Sequence, residues 1–230
     1  MNEHEEEGFG LSIGDVMSAL LLIIILLMMT VIQQLTVQMD KSSQFVTKQE
    51  MLRDALRVEF GADTSELFMH IAPDGEIQFI PPEGTVLFSQ RKAQLDPRFK
   101  NILRRFFPRY LRTLDGLDFK DEVREIRIEG HTDPSTSGDD PYLDNIAFSQ
   151  NRSYRVLRFI LKDNQTKRGL DSLGLGDLSW FKERTVPMGF GLNKLVYLEG
   201  QAEIEIDSIA SRRVTFRPLI DFERYMYLQD

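Results

Sequence analysis

One long apolar stretch near the start of the chain dominates its pattern of hydrophobic and polar positions. The stretch is SIGDVMSALLLIIILLMMTVIQQL and covers residues 12–35. From Val16 to Ile32 its only polar side chains are Ser18 and Thr30. As an α-helix, that part would span roughly 26 Å, close to the thickness of the hydrocarbon core of a bilayer. The pattern therefore predicts a transmembrane helix over 12–35.

The segment before this helix, which begins MNEHEEEGFG, contains no basic residue, and no small-residue cleavage site follows the apolar stretch. A cleavable signal peptide has a basic segment before its apolar stretch and a small-residue cleavage site after it. We therefore expect the helix to remain in place as a membrane anchor, preceded by an acidic tail over 1–11.

A polar, helix-prone segment over 36–65 follows the apolar stretch. Four apolar residues recur in it at helical spacing, which predicts one apolar helix face. Two interpretations stay open. The segment is either a stalk or helix that docks on the following domain, or a plug that lies along the membrane surface or against a partner. The four residues are Phe45, Leu52, Leu56 and Phe60.

The remainder of the chain, 66–230, alternates between strand patterns and helix patterns. ELFMHIAPDGEIQFI predicts two strands around a Pro-Asp-Gly turn, and EVREIRIEG predicts a third strand. DPRFKNILRRFFPRYLRTL predicts a helix that begins near Pro97 and is kinked or divided at Pro108. NIAFSQNRSYRVLRFIL predicts a second helix, a polar stretch over 162–184 has the character of an insertion, and AEIEIDSIASRRVTFRPLI predicts one or two closing strands. This order predicts a two-layer α+β sandwich.

Composition excludes several classes of function. The net charge of −8, from 36 acidic and 28 basic residues, argues against a nucleic-acid partner. The chain has no cysteine, and its three histidines are scattered, so we expect no metal site and no cofactor. No nucleophile and base stand at a spacing that indicates an enzyme. A run of basic residues around the first predicted helix is expected to form a solvated face, with contact to an acidic partner as the alternative. It comprises Arg91, Lys92, Arg98, Lys100, Arg104, Arg105, Arg109 and Arg112.

Four motifs, VLFSQRKAQLDP, IRIEGHTD, NIAFSQNR and ASRRVTF, occur in the order and roughly the spacing of the OmpA-like peptidoglycan-binding domain, over about 66–220. The family pattern G-H-T-D, then N-x-x-L-S-x-x-R-A, matches 130–133 and 145–153, with Phe148 in place of Leu and Ser153 in place of Ala. The loop PSTSGDDPYLD between these two motifs is longer than in the family. The resemblance implies a peptidoglycan binder rather than a hydrolase. It implies as binding residues Thr132, Asp133, Asn145, Ser149 and Arg152.

The chemistry of these residues agrees with that resemblance. The side-chain end of diaminopimelate carries one ammonium and one carboxylate, so its receptor needs an anion and a guanidinium held close together. Asp133 and Arg152 are such a pair. We expect Asp133 at the end of a strand and Arg152 in the second turn of a helix that begins near Asn145, whose free N–H groups would also face the carboxylate. The alternative is a structural ion pair, with Asn145 as a helix cap.

The sequence GDVMSALLLIIILLM ahead of an OmpA-like domain resembles the B subunits of MotB-type ion-driven stators. In that family an ion-carrying aspartate stands in the pattern D-x-M-[ST]-A, which matches Asp15, Met17, Ser18 and Ala19 here, so Asp15 is the implied ion carrier and Ser18 its neighbour on the ion path. A carboxyl group enclosed by partner helices can load and release a proton near neutrality.

The same resemblance implies a single-pass protein of the bacterial inner membrane with a cytoplasmic N-terminus and a periplasmic wall-binding domain. The basic residues Lys41, Lys48 and Arg53 after the helix would weakly favour the opposite orientation, but a wall-binding domain must face the periplasm. The resemblance also implies a homodimer and a polytopic A subunit, in an assembly of five A to two B subunits. The transported ion is expected to be H+, because the helix offers few of the oxygen ligands that a hard cation requires.

Three alternatives remain at this point. Ser12 and Asp15 form a capping box in a static wall-tethering protein without an ion path. Between stators, the chain is either a flagellar B subunit or a non-flagellar relative, such as the B subunit of the Zorya anti-phage defence system. The acidic N-terminal tail, where flagellar B subunits usually have a basic one, and the extra segment around Trp180 favour the non-flagellar relative.

Overall fold

The computed structural model describes residues 3–89, 93–116, 119–134, 139–198 and 205–221, with side chains from Gly14 onward. These residues divide into two compact units, one up to Val46 and the other Thr47–Asp221. The described residues of the first unit belong to the long helix α1, Glu3–Phe60, whose last turns belong to the second unit.

Helix α1 is long and apolar enough, from Gly14 onward, to cross a membrane. Its large apolar side chains are exposed from Val16 to Met39, and none of its most apolar part is buried by the rest of the chain. An uninterrupted apolar surface of this length needs a cover of lipid or of other helices.

The start of α1 differs from the prediction. The helix begins at Glu3 rather than at residue 12, so Ser12 and Asp15 lie inside it. Backbone N–H groups in a helix interior already donate to the carbonyl four residues earlier, so no free N–H groups remain here to be capped. The capping-box interpretation is therefore wrong, although the side chain of Ser12 itself lies outside the described residues.

The second unit contains a five-stranded sheet with the order β1-β2-β5-β3-β4, in which only β3 and β4 pair in parallel. The predicted hairpin is confirmed: β1 and β2 flank the Pro-Asp-Gly turn, where Gly75 adopts a φ of 81° that favours glycine. The strands are β1 (Met69–Ile71), β2 (Ile77–Phe79), β3 (Val123–Gly130), β4 (Thr185–Gly189) and β5 (Val214–Ile220). Strand β4 was not predicted, and of the predicted closing strands, 201–204 lie outside the described residues.

The described residues of this unit form six further helices. Helix α2 begins where Asp96 caps the N–H of Arg98 and Pro97 occupies the first turn. It continues through Pro108, so the predicted division at that residue is wrong; buried neighbours on both sides hold the helix together despite the missing N–H. The helices are α2 (Pro97–Asp115), α3 (Phe119–Glu122), α4 (Pro141–Lys162), α5 (Asn164–Ser172), α6 (Ser179–Arg184) and α7 (Ser208–Ser211).

Helices α2 and α4 cover one face of the sheet, as a two-layer α+β sandwich predicts. Phe106 of α2 contacts Phe79 of β2 and Phe216 of β5, with ring centroids 4.9 and 5.1 Å apart. Helix α4 approaches β3 and β4 at two glycines, because a Cβ on Gly130 or Gly189 would collide with its backbone. The predicted fold class, an apolar helix followed by this sandwich, is confirmed.

The stretch over 162–184 is a packed part of the domain, although its sequence is polar. It forms α5 and α6, which bury Leu170, Leu178 and Phe181. The ring of Phe181 lies 5.0 Å from that of Phe107 in α2. The segment therefore extends the core of the sandwich along α2.

The last turns of α1 belong to this core. Leu52, Leu56 and Phe60 are at most 1% exposed, and Phe60 contacts Phe106 with ring centroids 5.3 Å apart. Phe45, the fourth residue of the predicted stripe, lies in the first unit and is half-buried. This arrangement favours the docked helix over the plug.

Four arginines of α2 form ion pairs within the domain. The predicted solvated face is wrong for Arg104 and Arg109, which are half-buried, whereas Arg105 and Arg112 are exposed. Arg109 donates to the carboxylates of Glu59 and Asp63 at 2.7 and 2.6 Å, and its guanidinium lies 4.7 Å from the ring centre of Phe60. The other three pairs join Arg112 to Glu59, Arg105 to Glu66 and Arg104 to Asp163. Arg91 and Lys92 lie outside the described residues.

Replacing Phe60 by alanine is expected to lower the free energy of unfolding of the second unit by about 3–5 kcal/mol, because it removes a fully buried ring. Urea unfolding of the full chain in detergent, followed by the fluorescence of the single tryptophan, Trp180, measures this. Val58→Ala is the matched control, since Val58 is 89% exposed on the same helix turn and should change stability by less than about 0.5 kcal/mol. Equal stability of the two variants would show that the stripe is not part of the folded core.

Candidate functional site

The candidate wall site lies where β3 ends. His131 extends the sheet, its N–H donating to the carbonyl of Arg213 at 3.1 Å, and the N–H of Thr132 donates to the carbonyl of Gly191 at 3.3 Å. His131, Thr132 and Asp133 are 1%, 2% and 4% exposed. The backbone of this loop is therefore fixed by two neighbouring segments before any ligand is considered.

Arg152 of α4 meets this loop from the other side. Its Nη1 donates to the carbonyl of His131 at 3.3 Å, and its guanidinium lies 4.7 Å from the ring centre of Phe148 and 5.1 Å from that of Phe88. Burial lowers the pKa of Arg152 to about 10, although the nearby carboxylate of Asp133 raises it, so the guanidinium is charged at neutral pH. The guanidinium thus contacts the backbone of the loop that carries the predicted anion, Asp133.

The helix that carries Arg152 begins earlier than predicted. Asp140 caps α4 by accepting from the N–H groups of Tyr142 and Leu143, both at 3.1 Å. Arg152 therefore lies about three turns beyond the helix start rather than in the second turn. Helix α4 therefore does not begin near Asn145. The backbone N–H groups that were expected to face the ligand carboxylate donate instead to carbonyl groups within the helix.

The other two predicted binding residues are buried under the site. Asn145 donates to the carbonyl of Pro141 at 2.7 Å, and the hydroxyl of Ser149 accepts from the N–H of Gly191 at 2.9 Å. Both side chains are 0% exposed. In this arrangement Asn145 steadies the first turn of α4, and Ser149 joins α4 to the segment that holds Thr132.

Hydrogen-bonding capacity remains at the site. Among the described residues, the Thr132 hydroxyl, Asn145 Oδ1 and Arg152 Nε have no hydrogen-bond partner. Because Thr132 and Asn145 are at most 2% exposed, these atoms belong to the support of the site rather than to its open surface.

Sequence reasoning missed three contributors to this site. Arg212 places its Nε 3.9 Å from Asp133 Oδ2, and its signal was present in the motif ASRRVTF. Phe88, from the motif VLFSQ, and Phe148 both place their rings close to the guanidinium of Arg152. Aromatic faces attract a guanidinium and limit its motion, so they orient its fork.

A buried charged cluster lies beside the loop. Glu129 is 0% exposed and has Lys194 Nζ at 3.0 Å, Arg217 Nε at 3.3 Å and His131 Nε2 at 3.4 Å. Burial alone would raise the pKa of Glu129, but His131 and Lys194 outweigh it and keep that pKa below its ordinary value. Arg217 also pairs with Glu76. The cluster holds the end of β3 under the Thr132–Asp133 loop.

The buried histidine makes folding depend on pH. Burial lowers the pKa of His131 to about 4, although the Glu129 carboxylate, which can accept from the imidazole, opposes that shift; an unfolded histidine titrates near 6.5. Between these values the unfolded state binds a proton that the folded state does not, so stability falls as the pH falls. From pH 7 to pH 5 we expect a loss of about 2 kcal/mol in the free energy of unfolding from this group.

His131→Gln should remove that part of the pH dependence, and urea unfolding followed by Trp180 fluorescence at both pH values measures it. His70→Gln is the control, since His70 is exposed. A wild-type pH dependence in His131→Gln would contradict the assignment.

The predicted ion-path residues lie on α1. Asp15 and Ser18 are exposed and three positions apart, so they share one face of the helix. Asp15 is the only charged residue between Glu7 and Asp40. Within the described residues, no three His, Cys, Asp or Glu side chains are grouped so that they could hold a metal ion.

No protein-family model matches this chain. It is 28% identical to the Zorya protein ZorB from Escherichia coli (strain Crooks) over 233 residues. This match covers 96% of this chain and 90% of ZorB. Among solved structures, a putative MotB-like protein from Desulfovibrio vulgaris is 22% identical, with a TM-score of 0.49 and coverage of 77% of this chain and 98% of that one. The cell wall anchor of the T6SS from Pseudomonas aeruginosa is 18% identical, with a TM-score of 0.45 and coverage of 72% and 97%. The resemblance predicted from the sequence is confirmed in this sense: the chain is similar over nearly its whole length to ZorB.

Proposed function

We propose that this chain is the B subunit of an ion-driven stator complex in the bacterial inner membrane, and that it anchors the complex to peptidoglycan. The similarity to ZorB over 96% of the chain favours the Zorya type over the flagellar type. The protein is not an enzyme in this proposal; its work is mechanical.

The observation that carries the wall-anchoring role is the position of Arg152, whose guanidinium donates to the backbone of the loop that carries Asp133 at the end of β3. The zwitterionic end of diaminopimelate presents an ammonium to the aspartate and a carboxylate to the guanidinium. The site is mostly buried and aromatic rings fix the guanidinium, so the receptor is organised before the ligand arrives.

The membrane part follows from the exposed surface of α1. A single helix with exposed apolar residues from Val16 to Met39 cannot enclose an ion path, so other helices must contribute to it. The family resemblance supplies these helices as a polytopic A subunit and a second copy of this chain. We infer the family arrangement of five A to two B subunits, with the N-terminus of each B subunit in the cytoplasm and its wall-binding domain in the periplasm.

Asp15 is the ion carrier in this proposal. An aspartate inside a helix and within an apolar surface cannot serve as an end cap, and a carboxylate near the membrane is costly unless partners compensate it. Protonation by the transported H+ neutralises the group and changes its contacts with the A subunits. Each elementary charge that crosses the membrane releases about 2.3 kcal/mol per 100 mV, which can bias the packing of helices between two states.

The test is ion flux through the full chain co-expressed with the product of a neighbouring gene for a polytopic stator-like protein. Flux that requires both proteins and Asp15 supports the stator. Retention on sacculi without any flux would indicate a static tether instead.

A further inference from the structure

A second concave surface lies next to the wall site and remains unassigned by the proposed function. It is a cavity of about 730 Å3 between the start of α2 and one face of α4, which we call the α2–α4 groove. Phe148 belongs to both places: its ring lines the groove and also contacts the guanidinium of Arg152. The groove is therefore a direct continuation of the candidate wall site.

The residues of α4 that connect the two places form one continuous stripe. Phe148, Arg152, Arg155, Phe159 and Lys162 follow one another at intervals of three or four positions, so they lie on a single helix face. At about 1.5 Å per residue the stripe is roughly 21 Å long. A ligand held at Arg152 can extend along it without changing direction.

The groove is positively charged. Four cations line it, and within the described part of the chain none of them has a carboxylate within 4.0 Å. The one acid at its edge, Asp163, is already held by Arg104 through hydrogen bonds of 2.8 and 3.0 Å. The four cations are Lys100, Arg155, Arg158 and Lys162.

This concentration of positive charge stands in a chain with a net charge of −8. Cations at a concave surface with no acid to neutralise them attract an anionic ligand. The rings of Phe148 and Phe159 add apolar contact area between the charges. The groove thus suits an extended ligand that alternates carboxylates with apolar surface, rather than a flat, uniformly charged one.

We propose that the α2–α4 groove is a second peptidoglycan subsite, which binds the remaining carboxylates of a stem peptide, and its muramyl end, while the diaminopimelate terminus occupies the Asp133–Arg152 site. This inference rests on the proposed wall-anchoring function. Guanidinium groups accept a carboxylate as a two-pronged pair, so Arg155 and Arg158 are the main contacts. Phe148 lies between the two subsites and would contact the part of the ligand that joins them.

The test compares two soluble probes on the full chain reconstituted in phosphatidylcholine nanodiscs. Free diaminopimelate reaches only the Asp133–Arg152 site, whereas a muramyl stem peptide reaches both subsites. Arg155→Gln/Arg158→Gln should weaken binding of the muramyl stem peptide about tenfold and reduce its salt dependence, while leaving binding of diaminopimelate unchanged. Arg57→Gln/Arg168→Gln removes the same charge from exposed positions and should change neither.

Each other outcome has a distinct meaning. If wild type binds diaminopimelate and the groove variant binds the muramyl stem peptide as tightly as wild type, the second subsite is refuted and the proposed function stands. If wild type binds neither probe, the proposed function itself fails. If the groove variant loses binding only to added phosphatidylglycerol vesicles, the groove serves a lipid surface and the inference is overturned. Trp180 fluorescence during urea unfolding confirms that each variant is folded.

Discussion

Asp133→Ala is expected to weaken binding of the full chain to purified sacculi by at least about thirtyfold. The variant removes the anion that would pair with the ammonium of diaminopimelate. It also removes from this loop the carboxylate that stabilises the charge of Arg152. Loss of one partner from a buried, hydrogen-bonded charge pair typically costs 2–5 kcal/mol or more. Sedimentation of the detergent-solubilised chain with sacculi over a range of chain concentrations measures the change.

Arg152→Ala should cause a loss of similar size, because the ligand carboxylate then has no guanidinium. Asp139→Ala and Arg168→Ala are the matched controls, since each removes an exposed charge of the same sign from the same domain. Unfolding curves that match wild type are required for each variant. If the folded Asp133 and Arg152 variants both sediment as wild type does, the two residues form a structural ion pair and not a ligand site.

Asp15→Asn is expected to leave assembly intact and to abolish the work of the complex. The side chains are almost the same size, and both residues have similar helix propensities, so α1 and its packing should persist. The amide cannot take up and release a proton, so the cycle that the ion drives stops. Co-purification with the A subunit measures assembly, and protection of cells from phage measures the work of a Zorya-type complex.

Two further variants sharpen this experiment. Asp15→Glu keeps a carboxyl group one methylene further out and should retain part of the activity. Asp40→Asn removes the next charge along α1, at an exposed position beyond the apolar stretch, and should be silent. Full protection by Asp15→Asn, at wild-type levels of assembled complex, would refute the ion-carrying role.

Local signals in the sequence predicted the parts of the fold that depend on neighbouring residues. The Pro-Asp-Gly turn specified the β1–β2 hairpin because Gly75 adopts a φ that other residues avoid. The alternation of Ile126 and Ile128 located β3, since both side chains are fully buried. The sequence also contained a capping signal for α4, since Asp140 precedes Pro141. The predicted helix nevertheless began at Asn145, where the motif NIAFSQNR starts.

Features that depend on distant partners were not visible in the sequence. Strand β4 contains Pro187 and Gly189, both poor strand formers, and it exists because its backbone pairs with the edge of β3. The arginines of α2 appeared to form a solvated face, yet Arg109 is held by acids at the end of α1. No sequence spacing relates these helices, so the pairing emerges only when both pack on the sheet.

The candidate site also combines features that the sequence predicted with features that depend on distant partners. The motif predicted Asp133 and Arg152, because their roles depend on residue chemistry, but it gave no geometric reason for Arg212. That arginine reaches Asp133 because the segment before β5 lies beside the end of β3, where Gly130 pairs with Val214. Asn145 and Ser149 were expected at the ligand, and the structure buries them instead in contacts that shape the site.

Proton flux tests the central claim most directly. The full chain and its A subunit, reconstituted together in liposomes with a pH-sensitive dye inside, are placed under an applied membrane potential. We predict acidification of the interior that requires both proteins and is absent with Asp15→Asn at equal reconstituted amounts. Flux that is equal in wild type and Asp15→Asn, or no flux from a wild-type complex shown to be assembled, would contradict the account.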